Sequence, residues 1–190
     1  MKSHVEAVRD VDLHYSRELD LASGVVIFTA LTAIGAKVYI PNEPIPFTLQ
    51  TLFVVLAGAF LGRRGGTFAM VLYLLLGAAG APIFAGPEAG IHVFLGTTAG
   101  YLLGFVLSAA VVGTMIEFSE SLLWTFATMF IGFLVTFTCG TIWLDLFFVH
   151  NWGVSLTQGF LIFSLWDFVK LGAAVAIYRT WPARTRITNI

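Results

Sequence analysis

The sequence predicts an all-α membrane protein, a bundle of six transmembrane helices with both termini on the cytoplasmic side. Three observations carry that prediction. First, 58% of the 190 residues are hydrophobic and only 11% are charged, with a mean hydropathy of +0.89. A soluble domain of this length needs far more polar surface. Second, six apolar segments can be drawn, and a bilayer span takes about 20 apolar residues. Third, the basic residues sort onto one side of those segments.

Taken in order, residues 1–20, "MKSHVEAVRDVDLHYSRELD", mix acids with bases and hold no apolar run. A cleaved signal needs a basic start, an apolar stretch and a small-residue cleavage site. This segment therefore reads as a cytoplasmic tail, either solvated or lying as a short helix at the membrane surface. The six-helix membrane domain is expected over 21–180, and a basic cytoplasmic tail over 181–190. Within the domain the spans fall at about 21–38, 47–61, 66–80, 97–116, 121–143 and 157–178. The second and third are short and are separated by the charged turn Gly62-Arg63-Arg64-Gly65. Short spans still cross where the bilayer thins or neighbours shield their ends; a re-entrant pair is the alternative.

With six spans both termini share a side. That side collects Lys2, Arg9, Arg17, Arg63, Arg64, Arg179, Arg184 and Arg186, whereas the other holds Lys37 alone. Such an excess marks the cytoplasmic face. The longer connections, about 39–46, 81–96 and 144–156, then lie outside. They are rich in Pro, Gly and aromatic residues, and elaborate loops are where binding concentrates.

The last span contains "SLWDFVKLG", residues 164–172. Asp167 and Lys170 are three apart and share a helix face. Counted from position 157 at 1.5 Å per residue, Asp167 sits on the order of 15 Å into the bilayer, where a charge costs a few kcal/mol. Two readings stand: the pair neutralises itself and holds helices together, or it lines a polar cavity and holds a ligand. "PNEPIPFTLQTL", residues 41–52, leads into the second span, its prolines suiting a turn rather than a helix interior. Thr48 and Gln50 either satisfy free backbone groups at the helix start or face a ligand. Gly96, Gly100, Gly104 and Ser108 recur every fourth residue, as do Gly58 and Gly62; such stripes let helices approach closely. Ala22, Val26 and Ala30 form a gentler stripe on the first span, for packing within the protein or against a partner.

Several classes are excluded. A net charge of −1 leaves no basic footprint for nucleic acid. Cys139 is the single cysteine, so neither an internal disulfide nor a cysteine metal cluster can form. No metal-ligand set, no nucleophile with its base and no phosphate-binding loop is present. Catalytic residues, metal ligands and a cofactor are therefore not expected.

"PIPFTLQTL", the double arginine of "LGRRGG", "GYLLGF" and the late Asp-x-x-Lys together resemble the BioY family over roughly residues 22–180. These are the biotin-binding S components of energy-coupling factor (ECF) transporters. The resemblance implies an S-component-like six-helix bundle in the bacterial cytoplasmic membrane. Its pocket would lie between the outer halves of the helices, under a lid formed by the loop after the third span. Carried over by position, Gln50, Asp167 and Lys170 become substrate-binding candidates, joined by Thr48, Tyr101 and Phe84. Biotin offers a carboxylate, ureido donors and acceptor, and an apolar bicycle and chain. Lys170 would offset the carboxylate or donate to the ureido oxygen, and Asp167 would accept from the ureido N–H groups. The implied partners are surrounding lipid, a transmembrane coupling subunit and paired ATPases, with Ala22, Val26 and Ala30 as the docking face; action alone or as a homo-oligomer stays open. The chain departs from the family pattern at Leu165-Trp166 and at Thr97. A competing reading is an autonomous secondary carrier for a small carboxylate, with Asp167–Lys170 as a switchable pair. A third is a structural protein whose pair only holds helices.

Overall fold

The computed structural model describes residues 4–161 and 165–181, with side chains from Glu18 onward except that of Leu165. Helices dominate it, as hydrocarbon requires: each backbone N–H and C=O must find its partner within the segment. The first helix, α1 (His4–Lys37), runs without a break through position 20, so residues 4–20 continue the first membrane helix. Its 34 residues extend about 51 Å, well beyond a hydrocarbon core of about 30 Å.

A two-stranded hairpin follows. β1 (Tyr39–Ile40) pairs antiparallel with β2 (Phe47–Thr48), Tyr39 opposite Thr48 and Ile40 opposite Phe47. Phe47 and Thr48, expected in the first turn of the second span, are thus strand residues, and the helix starts at Gln50.

That helix, α2 (Gln50–Ala78), breaks at Gly62, whose φ of 67° and ψ of −174° are open to glycine and strained for other residues. The chain doubles back there. A Cβ placed on Gly66 would lie 2.7 Å from the Cα of Gly58, whereas residues eight apart in an unbroken helix are about 12 Å apart. The arms 50–61 and 63–78 are the two short spans expected from the sequence, folded against each other.

α3 (Ala99–Met115) and α4 (Leu122–Leu144) pack through the glycine stripe. A Cβ on Gly100 would lie 2.7 Å from the Cys139 carbonyl, and one on Gly104 would lie 3.1 Å from Cys139 Cβ. One turn on, the Ser108 hydroxyl donates to the Gly132 carbonyl at 2.8 Å. Gly58 in turn lets the first arm of α2 reach α3, its added Cβ lying 2.5 Å from the Ala109 carbonyl.

The last span departs from expectation. Instead of one helix over 157–178, the chain makes a short turn of helix, α5 (Trp152–Ser155), a wider π-helical turn (Leu156–Phe160), and then α6 (Leu165–Thr180). Asp167 consequently lies in the first turn of α6 rather than ten residues into a regular helix.

Among the described residues four helical stretches are long and apolar enough to cross a bilayer: Glu18–Lys37, Gln50–Ala78, Ala99–Phe118 and Leu122–Val149. α2 supplies two passes through its turn at Gly62, and α6 is the short last one. This is a membrane protein. Its core is filled by Val55, Leu56, Val112, Met129, Phe133 and Leu171, all 4% exposed or less. At one end of the bundle the Gly62 turn packs on Gly113, and Arg179 donates to the Glu120 carbonyl. The hairpin and the loop 79–98 meet at the other.

Candidate functional site

Under that hairpin and loop lies a cavity of about 420 Å³, within the range of small-molecule pockets, about 300–1,000 Å³. All six residues expected at a site line it: Thr48, Gln50, Phe84, Tyr101, Asp167 and Lys170. They come from β2, the start of α2, the loop 79–98, α3 and α6, so only the folded bundle assembles them.

The polar end is built around Lys170. Its ammonium lies 2.5 Å from Asp167 Oδ1. It also donates to the Thr48 carbonyl at 2.9 Å and to the Thr51 hydroxyl at 3.0 Å. A lysine has three N–H donors, and here three protein oxygens lie within 3.0 Å of the ammonium. The ring of Phe133 lies beneath, its centroid 5.8 Å from Nζ. Asp167 is 1% exposed and Lys170 4%. Charges so buried persist only when paired and hydrogen-bonded. Asp167 gains further from its place in the first turn of α6, where the helix dipole favours a carboxylate. Lys170 ties α6 to the start of α2, and the pair sets an acid and a base at the cavity wall.

Gln50 is held from two sides. Its Oε1 accepts from the Thr48 hydroxyl at 3.0 Å, and its Nε2 donates to the Tyr73 hydroxyl at 2.8 Å. Tyr73 passes the chain on, donating to the Ile83 carbonyl at 2.9 Å. A hydrogen-bonded line thus runs from β2 through Gln50 to the base of the loop.

Phe84, 2% exposed, is the wall next to that line. It meets Tyr73 edge-on at 5.5 Å and Phe94 edge-on at 5.8 Å. Its ring occupies the space a side chain at Gly77 would take, and Gly90 N–H donates to the Gly77 carbonyl at 2.9 Å. The 3₁₀ turn Ile91–Leu95 carries Val93 into the cavity lining.

Tyr101 is clasped between Gly140 and Gly159. Its hydroxyl donates to the Gly159 carbonyl at 2.8 Å, which anchors the irregular approach to α6. Thr97, the departure noted above, ties two loops by donating to the Pro44 carbonyl at 3.1 Å. Trp143 Nε1 does likewise to the Gly96 carbonyl at 3.1 Å. Trp166 is 41% exposed and points away from the cavity lining. Phe105, Phe137 and Leu102 complete an apolar wall. The arrangement suits an elongated ligand with polar groups at one end and an apolar body.

Sequence reasoning missed Tyr73 and Thr51. Tyr73 had a usable signal, because a tyrosine in an apolar span must find a partner for its hydroxyl. On the outer face of the bundle Ala22, Val26 and Ala30 are exposed, while Thr29 and Thr32, beside that stripe on α1, are buried and Thr29 donates to the Ala69 carbonyl at 3.0 Å. The stripe thus faces away from the protein. Among the described residues no cluster of His, Cys, Asp and Glu that could hold a metal ion is formed.

Comparisons with known proteins converge. The sequence profile described as the BioY family matches residues 9–186. The chain is 42% identical over 151 residues to a biotin transporter BioY of Thermotoga maritima, covering 80% of this chain and 89% of that one. It is 37% identical over 156 residues to a probable biotin transporter BioY of Pyrococcus horikoshii, covering 80% and 90%. Among solved structures it resembles the S-component for biotin from an ECF-type ABC transporter, with a TM-score of 0.80 and 25% identity over 86% of this chain and 91% of that one.

Proposed function

This chain belongs to the BioY family, and from that premise we propose that it captures biotin and serves as the substrate-specific subunit of an ECF transporter. The observation that carries the reading is the cavity under the loops: one buried acid–base pair, one fixed amide, and otherwise aromatic and aliphatic wall. Biotin supplies both kinds of surface: a polar ureido ring at one end, an apolar sulfur-containing ring and chain in the middle, and a carboxylate at the far end.

In this reading Asp167, Lys170 and Gln50 meet the polar groups of biotin. Thr48 shapes the polar end, and Phe84 and Tyr101 enclose the apolar part. Asp167 is the acceptor for ureido N–H groups, since an ionised carboxylate only accepts. Lys170 supplies the positive charge that a ligand oxygen needs. Because Asp167, Thr48 and Thr51 already crowd the ammonium, a ligand oxygen binds Lys170 by replacing Thr51 or the Thr48 carbonyl, or draws on its charge at longer range. The chain itself makes and breaks no covalent bond.

The site opens to the outside, and both termini are cytoplasmic, a reading supported by Arg63, Arg64 and Arg179 at the opposite end of the bundle. The membrane is the bacterial cytoplasmic one. A coupling subunit docks on the exposed face of α1 formed by Ala22, Val26 and Ala30, and paired ATPases drive the release of biotin inward. Uptake of radiolabelled biotin by cells making this chain with and without the coupling module tests this. ATP-dependent uptake that requires the module supports the reading. Uptake by the chain alone, driven by an ion gradient and indifferent to ATP depletion, supports the autonomous carrier instead.

A further inference from the structure

Lys37 lies in the last turn of α1, at the end of the bundle where the loops meet. Its ammonium donates to the carbonyl of Phe84 at 2.8 Å and to that of Gly86 at 3.1 Å. The two acceptors belong to a single bend of the loop 79–98, turned by Gly86 at φ 75°, so two carbonyls two residues apart converge on one cation. Lys37 itself is exposed and does not line the cavity. It holds the loop from outside the cavity lining.

The residue it grips is Phe84, the aromatic wall of the site. Besides the ring contacts with Tyr73 and Phe94, three contacts from the helices hold Phe84 and its neighbours: the seat at Gly77, the Tyr73 hydroxyl on the Ile83 carbonyl at 2.9 Å, and the Lys37 clamp. The first two come from α2, which also carries Gln50. Only the third comes from α1.

We propose that Lys37 is the positioning residue of the lid, a latch that fixes Phe84 in its binding position and joins the lid to α1. It touches no substrate, yet the time biotin stays bound depends on it. The inference rests on the reading of the cavity as a biotin site. It also explains how release is coupled. The exposed face of α1 and the latch are on one helix, Ala30 and Lys37 only two turns apart, so a partner that shifts α1 pulls on the lid.

The test compares Lys37→Met, which keeps the aliphatic stem and removes the donors, with Lys37→Arg, which restores them. Biotin dissociation is measured by chase from the purified protein in nanodiscs, and amide hydrogen exchange is measured on the ligand-free chain. Charge-assisted hydrogen bonds are the stronger ones, and altered contacts act mainly through dissociation. Lys37→Met should therefore release biotin about tenfold faster with little change in association rate, and Lys37→Arg should return most of the difference. Amides over 83–90 should exchange faster in Lys37→Met than in the wild type, while the rest of the bundle is unchanged. Wild-type dissociation from Lys37→Met, or unchanged protection over 83–90, overturns the latch. Absence of biotin binding by the wild type instead sinks the functional reading, and the exchange experiment still decides on the latch.

Discussion

Gly77→Ala separates a docked lid from a loop that merely lies nearby. By intrinsic propensity the change should help, because alanine inside a helix is worth about 1 kcal/mol over glycine. The structure reverses the sign. A Cβ at position 77 falls inside the ring of Phe84, which is 2% exposed and seated edge-on against Tyr73 and Phe94. The ring must move, and with it go two aromatic pairs worth about 0.5–1.5 kcal/mol each, or about 1–3 kcal/mol together. The helix gain of about 1 kcal/mol is present with the lid open or closed, so the closed state is weakened relative to the open one by about 1–3 kcal/mol. That is roughly a 5- to 150-fold rise in the dissociation constant for biotin. Isothermal calorimetry on the purified variant measures it. Phe84→Ala supplies the control: if the two residues meet, their effects are strongly non-additive, and Gly77→Ala made on top of Phe84→Ala should cost almost nothing. A Gly77→Ala protein that binds biotin as well as the wild type and melts higher would refute the seating of Phe84.

The remaining predictions concern the pair, the approach to α6 and the outer face. Lys170→Met leaves Asp167 buried without its cation, and breaking a buried pair costs about 3–5 kcal/mol; the loss should appear in both thermal stability and biotin affinity, whereas the double variant Asp167→Asn/Lys170→Met should recover stability without affinity. Tyr101→Phe removes the bond to the Gly159 carbonyl and should lower stability by about 1 kcal/mol, read by thermal denaturation in detergent. Ala30→Trp on the exposed face of α1 should leave biotin binding by the isolated chain unchanged and abolish uptake that depends on the coupling module.

How much of this could be read from the sequence depends on range. Asp167 and Lys170 are three apart, so helix geometry alone placed them on one face and their charge made them conspicuous. The stripes at Gly100, Gly104 and Gly58 carried packing information in their spacing, and the bundle uses them as such. The turn at Gly62-Arg63-Arg64-Gly65 was legible too, because two apolar arms on either side of a charged glycine turn have little choice but to fold back. What stayed hidden was pairing across the chain. Lys170 takes its other partners from Thr48 and Thr51, more than a hundred residues earlier, and nothing local signals that. Lys37 looked like a basic residue ending a span and counting only towards orientation; its role exists because the loop after α2 returns over α1. The last span was read as one helix since its hydropathy is continuous, but hydropathy does not report backbone regularity, and the chain reaches α6 through a π-helical turn held by Tyr101.

The central claim is that the cavity bounded by Gln50, Phe84, Tyr101 and the Asp167–Lys170 pair is a biotin site. Titration of the purified chain with biotin, by calorimetry in nanodiscs and without any partner subunit, tests it most directly. The account predicts saturable binding at one biotin per chain, sharply weakened by Asp167→Asn. Absence of saturable binding by a folded wild-type protein, or affinity that Asp167→Asn leaves untouched, would contradict it.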